Sequence, residues 1–240
     1  MIDNKLRVAV LEDDPDQAEL VQFWLENAGH SCTHFADGRE FVKHLRRESY
    51  DVLILDWMVP ELSGIQALKT IRRDHDCSTP VVFVTQRDSE RDIVDALQAG
   101  ADDYMTKPIR RFELLARVNA AVRRGLSGER RDHALLEFAP YRIDKATREI
   151  AIDGQPVALT QKEYELAVFL FQHVGEIVSR SHLLESVWGT NADINTRTVD
   201  THASRIRSKL GLLPHNGWKL TSIYQHGYRL EPLSEGSSSG

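Results

Sequence analysis

Five short runs in the first half of the chain, RVAVLE, SCTHFA, DVLILD, PVVFVT and DDYMTK, alternate with amphipathic stretches, and this alternation limits the fold more than any other feature. The runs favour Val and Ile and are too short for helices, so they read as strands. Between them the apolar period changes. Ala18, Val21, Leu25 and Ala28 recur at helical spacing, as do Ile65, Leu68 and Ile71. Strands alternating with helices predict a parallel sheet with right-handed crossovers and helices on both faces. In such a sheet, sites form beyond the C-terminal ends of the strands.

The second half is patterned differently. After Arg123 and Arg124 comes GLSGERRDHA, a Gly, Ser and charged segment without periodicity, which reads as a linker. LLEFAPYRID, REIAID and VALT follow as expected strands, with a turn at Asp153-Gly154 separating the latter two. Helical patterns then cover 161–174, 180–188 and 195–210, and a closing pair, KLTSIY and GYRL, flanks Gln225-His226. Strands, then helices, then a hairpin describe a winged helix-turn-helix. The expected fold class is thus two domains, an α/β doubly wound five-stranded parallel sheet followed by a winged helix-turn-helix α+β domain. The expected bounds are 1–124 for the first domain, 125–134 for the linker and 135–232 for the second, with 233–240 a disordered tail.

A hydrophobic fraction of 41% and a charged fraction of 28% place the chain among soluble globular proteins. No apolar run approaches the length that spans a bilayer, and MIDNKLRVAVLEDD lacks the marks of a signal peptide, so a cytoplasmic protein without a membrane segment is expected. Cys32 and Cys77 fit no zinc spacing and read as reduced thiols. The net charge of −6 argues against a general nucleic-acid coat. Residues 1–130 carry 18 basic and 23 acidic side chains and the rest 12 and 13, so an anion-binding surface in the second half must be local.

At the strand ends sit Glu12-Asp13-Asp14, Asp56, Thr85 and Lys107-Pro108. Singly, each has a bland reading: Asp14 before Pro15 suits a helix cap, and Lys107 a surface charge. Together, in a parallel sheet, they converge on one edge. Carboxylates about 4 Å apart repel by roughly 4 kcal/mol per pair at an effective dielectric of 20, so the cluster needs a cation. An all-oxygen set without histidine or thiolate suits Mg2+ rather than zinc, and magnesium favours phosphate. Asp56 could then be a nucleophile that forms an acyl phosphate. Lys107 and the metal would neutralise the transferred group, and Thr85 would donate a hydroxyl hydrogen bond to it.

With LEDD, LILDWMVPELSG, FVTQRDSE and GADDYMTKP in this order and spacing, residues 6–124 resemble a response-regulator receiver domain, which is flavodoxin-like, and the whole chain resembles the OmpR/PhoB family. The resemblance implies that Asp56 accepts phosphate from a sensor histidine kinase. It implies Mg2+ held by Asp13 and Asp56, with the Met58 carbonyl as a third ligand and Glu12 acting through water. Thr85 and Tyr104 would be the switch pair, Thr85 moving toward the phosphate and Tyr104 turning inward behind it. Some phosphatases share the nucleophile and metal but place a general acid two residues on; Met58 occupies that position and cannot transfer a proton. The domain is therefore expected to catalyse its own phosphorylation and dephosphorylation and not to be an enzyme toward other substrates. A receiver controlled by protein partners is the alternative, and the complete Glu12, Asp13, Asp56, Thr85 and Lys107 set speaks against it.

The resemblance also implies a homodimer on phosphorylation, through an apolar patch of Val94, Leu97 and Leu115 ringed by charges including Asp103, Glu113 and Arg117. Ile93 stands opposite Glu113 where relatives often have a base, and Asn119 where a lysine is common. In the second half, NTRTVDTHASRIRSKL puts Val199, Ala203, Ile206 and Leu210 on one helical face, to pack on Leu166, Leu170 and Val174. The other side presents Arg197, Thr198, His202, Arg205 and Lys209. The window 197–209 has four basic residues and one acid, which suits a helix in the major groove of promoter DNA. The resemblance carries Arg197, Thr198, His202, Arg205 and Arg207 over as contacts, while Ser204 and the wing Tyr224-Gln225-His226 depart from relatives. It further implies that the turn GTNADIN meets RNA polymerase.

Overall fold

The computed structural model describes residues 5–74, 77–125, 135–189 and 196–233. Two compact units divide the chain, Met1–Gly128 and Glu129–Gly240.

The first unit follows the alternation read from sequence: β1 (Arg7–Leu11), α1 (Pro15–Asn27), β2 (Ser31–Phe35), α2 (Gly38–Leu45), β3 (Val52–Leu55), α3 (Gly64–Asp74), β4 (Val81–Thr85), α4 (Glu90–Gln98), β5 (Asp103–Thr106) and α5 (Arg111–Gly125). All strand pairs are parallel and the order is β2-β1-β3-β4-β5. Period-two alternation explains why VLIL is apolar throughout. Val52 and Ile54 join Val8, Val10, Val82 and Val84 on one face, under α1 and α5 (Val21, Leu25, Leu114, Val118). Leu53 and Leu55 join Ala9, Leu11, Val81 and Phe83 on the other, under α2, α3 and α4 (Phe41, Leu68, Ile71, Ala96). A strand covered on both faces has no solvent side on which to place a polar residue. Asp56 ends the run because the run there leaves the sheet.

The second unit comprises β6 (Leu135–Phe138), β7 (Tyr141–Asp144), β8 (Glu149–Ile152), β9 (Gln155–Pro156), α6 (Gln161–Gln172), β10 (Ile177–Ser179), α7 (Arg180–Trp188), α8 (Arg197–Lys209), a short 3-10 turn at Pro214–Asn216, β11 (Trp218–Ile223) and β12 (Gly227–Pro232). Two antiparallel sheets form, β6-β7-β8-β9 and β10-β12-β11. LLEFAPYRID is two strands rather than one, because Ala139-Pro140 turns the chain and lets Phe138 face Tyr141. VALT is not a strand: pairing ends at Pro156, and Thr160 caps α6 through a reciprocal box with Glu163. The strand β10 is not announced by the sequence, since three residues carry too little pattern. The Asp153-Gly154 turn stands as read, both residues having positive φ (50° and 78°) as a two-residue hairpin requires. Val199, Ala203, Ile206 and Leu210 are buried in one core with Leu166 and Leu170, and Val174 packs at its margin. Phe138, Tyr141, Phe171 and Trp218 close that core, with Tyr141 Oη donating to the Leu210 carbonyl (2.8 Å) and Trp218 Nε1 to that of Ala139 (2.9 Å).

Candidate functional site

The strand order reverses at β1, which lies between β2 and β3, so a crevice opens beyond the C-terminal ends of β1 and β3. Backbone bonds carry the ladder one residue past each strand and set the site. Glu12 N–H donates to the Phe35 carbonyl (3.0 Å), Asp56 N–H to that of Leu11 (2.8 Å) and Lys107 N–H to that of Thr85 (2.9 Å). Register brings Leu11 opposite Leu55 and Thr85 opposite Thr106. Residues from four distant segments thus share one edge.

There, one carboxylate oxygen from each of Glu12, Asp13 and Asp56 lies within 4.8 Å of the others. Lys107 Nζ donates to both Glu12 oxygens (3.0 and 2.8 Å) and to Asp56 Oδ2 (2.7 Å), and its side chain is only 8% exposed. Burial pushes the Glu12 carboxyl up, and the Lys107 bonds offset this only in part, with Asp56 adding to the rise. Burial alone would lower Lys107, but its bonds to Asp56 and Glu12 outweigh this and hold its ammonium above the ordinary lysine range. Fully ionised, three carboxylates and one ammonium leave two negative charges, which a divalent cation would balance. Hard oxygen donors with one exposed member, Asp13, suit an ion that keeps part of its water. Asp14 lies outside the cluster and caps α1, accepting from the N–H groups of Asp16 (3.0 Å) and Gln17 (3.2 Å), as suits an aspartate before proline.

The Asp56 loop depends on a glycine. A Cβ on Gly64 would sit 1.9 Å from the Asp56 carbonyl oxygen, and Gly64 N–H donates to the Trp57 carbonyl (3.0 Å). Backbone cannot yield as a flexible side chain can, so Gly64→Ala is expected to destabilise the first unit by ~2–3 kcal/mol. Urea denaturation checks this, and an unmoved midpoint would show that the loop gives way freely. Beside the carboxylates, Met58 N–H donates to Asp56 Oδ1 (3.1 Å) while the Met58 side chain is exposed. Thr85 is fully buried, and its Oγ1 accepts weakly from Arg87 N–H (3.5 Å). Tyr104 is turned inward, 9% exposed, with Oη donating to the Arg87 carbonyl (2.5 Å). Burial, then the Asp92 charge, push its phenol up to about 12.

Arg87 is the residue that sequence reasoning misses here. Its guanidinium lies 5.0 Å over the Trp57 ring and bonds Asp92 (2.8 Å), so one side chain borders the residue after Asp56 and reaches α4. Its position two after Thr85 is the only signal.

Of the surface patch, Val94 and Leu97 are exposed, whereas Leu115 packs partly into the core. Asp103 and Glu113 are both engaged within the chain by Arg117 (2.7 and 2.8 Å). On α8, Arg197 and Arg205 are exposed, as are Thr201, Ser204 and Ser208. Thr198 is half-buried. Arg207 donates from Nε to the Leu220 carbonyl (3.0 Å), and Lys209 bonds buried Glu163 (2.7 Å), so both long side chains fold back onto their own unit. His202 is held by the Thr198 carbonyl (2.9 Å) and the Trp188 ring. At the hairpin tip Tyr224 is 85% exposed. The expected linker from 126, the tail from 234, and GTNADIN beyond Gly189 lie outside the described residues.

The chain is similar to known proteins along most of its length. The family model described as the response regulator receiver domain matches residues 8–119, and that described as transcriptional regulatory protein, C terminal, matches residues 154–230. Sensory transduction protein RegX3 of Mycolicibacterium smegmatis is 36% identical over 226 residues, covering 93% of this chain and 98% of the relative. The solved response regulator DrrB, an OmpR/PhoB homologue of Thermotoga maritima, is 30% identical, with 95% of this chain and 99% of that one covered and a TM-score of 0.45. A signal receiver domain of a putative Luxo repressor protein from Vibrio parahaemolyticus is 28% identical, with 54% and 99% covered and a TM-score of 0.50.

Proposed function

The chain belongs to the OmpR/PhoB-type response regulators, a receiver domain followed by a C-terminal transcriptional regulatory domain, and on that premise we propose that it is a DNA-binding regulator switched on by phosphorylation of Asp56. The observation that carries this reading is the meeting of Glu12, Asp13, Asp56 and Lys107 at one strand edge, with Thr85 at the end of β4 and Tyr104 within β5.

An Asp56 oxygen attacks the phosphorus of a sensor kinase's phosphohistidine. The new P–O bond forms as the P–N bond breaks, and the imidazole leaves. Lys107 already contacts Asp56 Oδ2, so its ammonium is placed to neutralise charge on the arriving oxygens. Asp13, Asp56 and the Met58 carbonyl, with Glu12 through water, would hold Mg2+, which supplies charge neutralisation for the phosphoryl group. Thr85 then donates its hydroxyl to the phosphoryl oxygen, and Tyr104, already inward, fills the space behind. Met58 offers no proton two residues past Asp56, so turnover on other phosphoesters is not part of the reading.

The output follows from α4, β5 and α5. Val94 and Leu97 supply apolar surface for a second copy, and the Asp103, Glu113 and Arg117 charges can exchange partners across the pair. In the second domain, Arg197 and Arg205 on α8 are the leading DNA contacts, joined by Thr198 and His202 at the edge of the same face. Promoter DNA and a sensor histidine kinase are the partners, with RNA polymerase met through the turn before α8. No helix among the described residues is long and apolar enough to cross a membrane.

Incubation with a small acyl-phosphate donor and Mg2+ should therefore both label the chain and tighten its hold on duplex DNA. Labelling without tighter binding would break the reading. Binding should weaken with salt, by a log–log slope of about −0.9 for each phosphate neutralised. Arg205→Ala should reduce that slope by roughly one contact, measured by fluorescence anisotropy. A slope equal to the native chain's would remove Arg205 from the interface.

A further inference from the structure

The basic window of α8 contains one acid, Asp200. An uncompensated carboxylate on a helix laid against phosphates repels DNA, so its presence needs a cause. A carboxylate in a helix's first turn ordinarily serves the helix dipole. Asp200 does more than that. Its Oδ1 accepts from Arg180 Nε (2.9 Å) at the start of α7 and from Tyr228 Oη (2.6 Å) on β12. Arg180 also donates to Ser222 Oγ on β11 (3.1 Å), and its guanidinium lies 5.1 Å over the Tyr228 ring. Its backbone N–H donates to the His226 carbonyl next to the hairpin tip (3.3 Å). One carboxylate oxygen therefore ties the recognition helix to the preceding helix and to β12, and Arg180 carries the tie on to β11.

We propose that Asp200 is a positioning residue that sets α8 and the β11–β12 wing as one rigid reading head, and so contributes sequence specificity rather than affinity. The inference rests on the DNA-binding reading above. Its physical basis is a difference in tolerance. Phosphate contacts are electrostatic and survive small displacements, whereas contacts to base edges need fixed donor and acceptor positions. Arg180 neutralises the acid, so the knot adds little net repulsion. Tyr228 is buried, which holds the far end of the knot still while half-exposed Asp200 spans from α8.

The test uses the full chain and the duplex that the native chain enriches from a random-sequence pool, beside a scrambled duplex of equal composition. Asp200→Asn is expected to bind the enriched duplex about tenfold more weakly, the discrimination of roughly one base contact, while holding the scrambled duplex as well as or better than the native chain. Tyr228→Phe keeps the Asp200 charge and should move in the same direction by a smaller factor. The double variant should be no worse than Asp200→Asn, because both break one network. Equal tightening on both duplexes would mean that only a negative charge had been removed, and would overturn the proposal. Equal weakening on both, with a lower melting temperature, would reduce Asp200 to a fold-stabilising residue and overturn it as well. A native chain that enriches no duplex would sink the DNA-binding reading itself; enrichment with Asp200→Asn unchanged would sink this inference alone.

Discussion

Asp56→Asn is expected to leave the chain unable to take up phosphate from a small acyl-phosphate donor, with labelling lowered ~10²-fold or more, because an amide is not a nucleophile toward phosphorus. The substitution isolates chemistry from folding. The single amide oxygen can still accept from Met58 N–H or from Lys107, though not from both, and Lys107 keeps its two bonds to Glu12. One negative charge leaves a crowded cluster, so the melting temperature should hold or rise. DNA binding should then stay at the unphosphorylated level with or without donor. The native chain has energy enough to switch: hydrogen bonds to a charged phosphoryl group from Thr85 and Lys107 contribute roughly 1.5–3 kcal/mol each. Inverting a 1:99 population takes about 5.5 kcal/mol, which two such bonds can approach. Labelling of Asp56→Asn at the native rate would place the phosphoacceptor elsewhere.

Much of this site is legible in the amino-acid sequence because a parallel sheet translates sequence position into spatial position. Once VLIL and its neighbours are strands, Glu12, Asp56, Thr85 and Lys107 have to share an edge, and the observed register puts them there. Where the outcome depends on a side chain's destination rather than on a period, the sequence does not supply it. Arg207 and Lys209 sit at helical positions open to solvent, yet long stems let their charges return to the Leu220 carbonyl and to Glu163. A helical wheel cannot distinguish those two side chains from Arg205. The same limit hides Arg87, whose partners Trp57 and Asp92 come from two other segments. In the second unit, LLEFAPYRID and VALT are apolar enough for strands. Proline at 140 splits the first into β6 and β7, and the cap at Thr160 makes the end of the second the start of α6.

Lys107→Met tests the electrostatics of the pocket with a large effect of opposite character, on stability rather than on chemistry. Methionine keeps most of the lysine's volume and removes the one charge that bonds both Glu12 and Asp56 in a nearly closed environment. Breaking a buried pair by removing one partner costs about 3–5 kcal/mol, since the other partner stays buried and uncompensated. The first unit of the variant should lose about that much at neutral pH in the presence of a chelator. Two conditions should return it. Millimolar Mg2+ should stabilise the variant more than the native chain, because the three clustered carboxylates then lack the Lys107 ammonium. Acid should do the same. Burial and the Asp56 charge already raise Glu12, and without Lys107 the rise is larger. A carboxyl raised in the folded state contributes stability that is fully present below its ordinary value of 4.5 and is lost as pH climbs through the raised one. The variant should therefore lose stability across that window more steeply than the native chain, by thermal melting at stepped pH with chelator. A deficit that ignores both Mg2+ and pH would mean that Lys107 supports the fold by packing, and that the carboxylates do not depend on its charge.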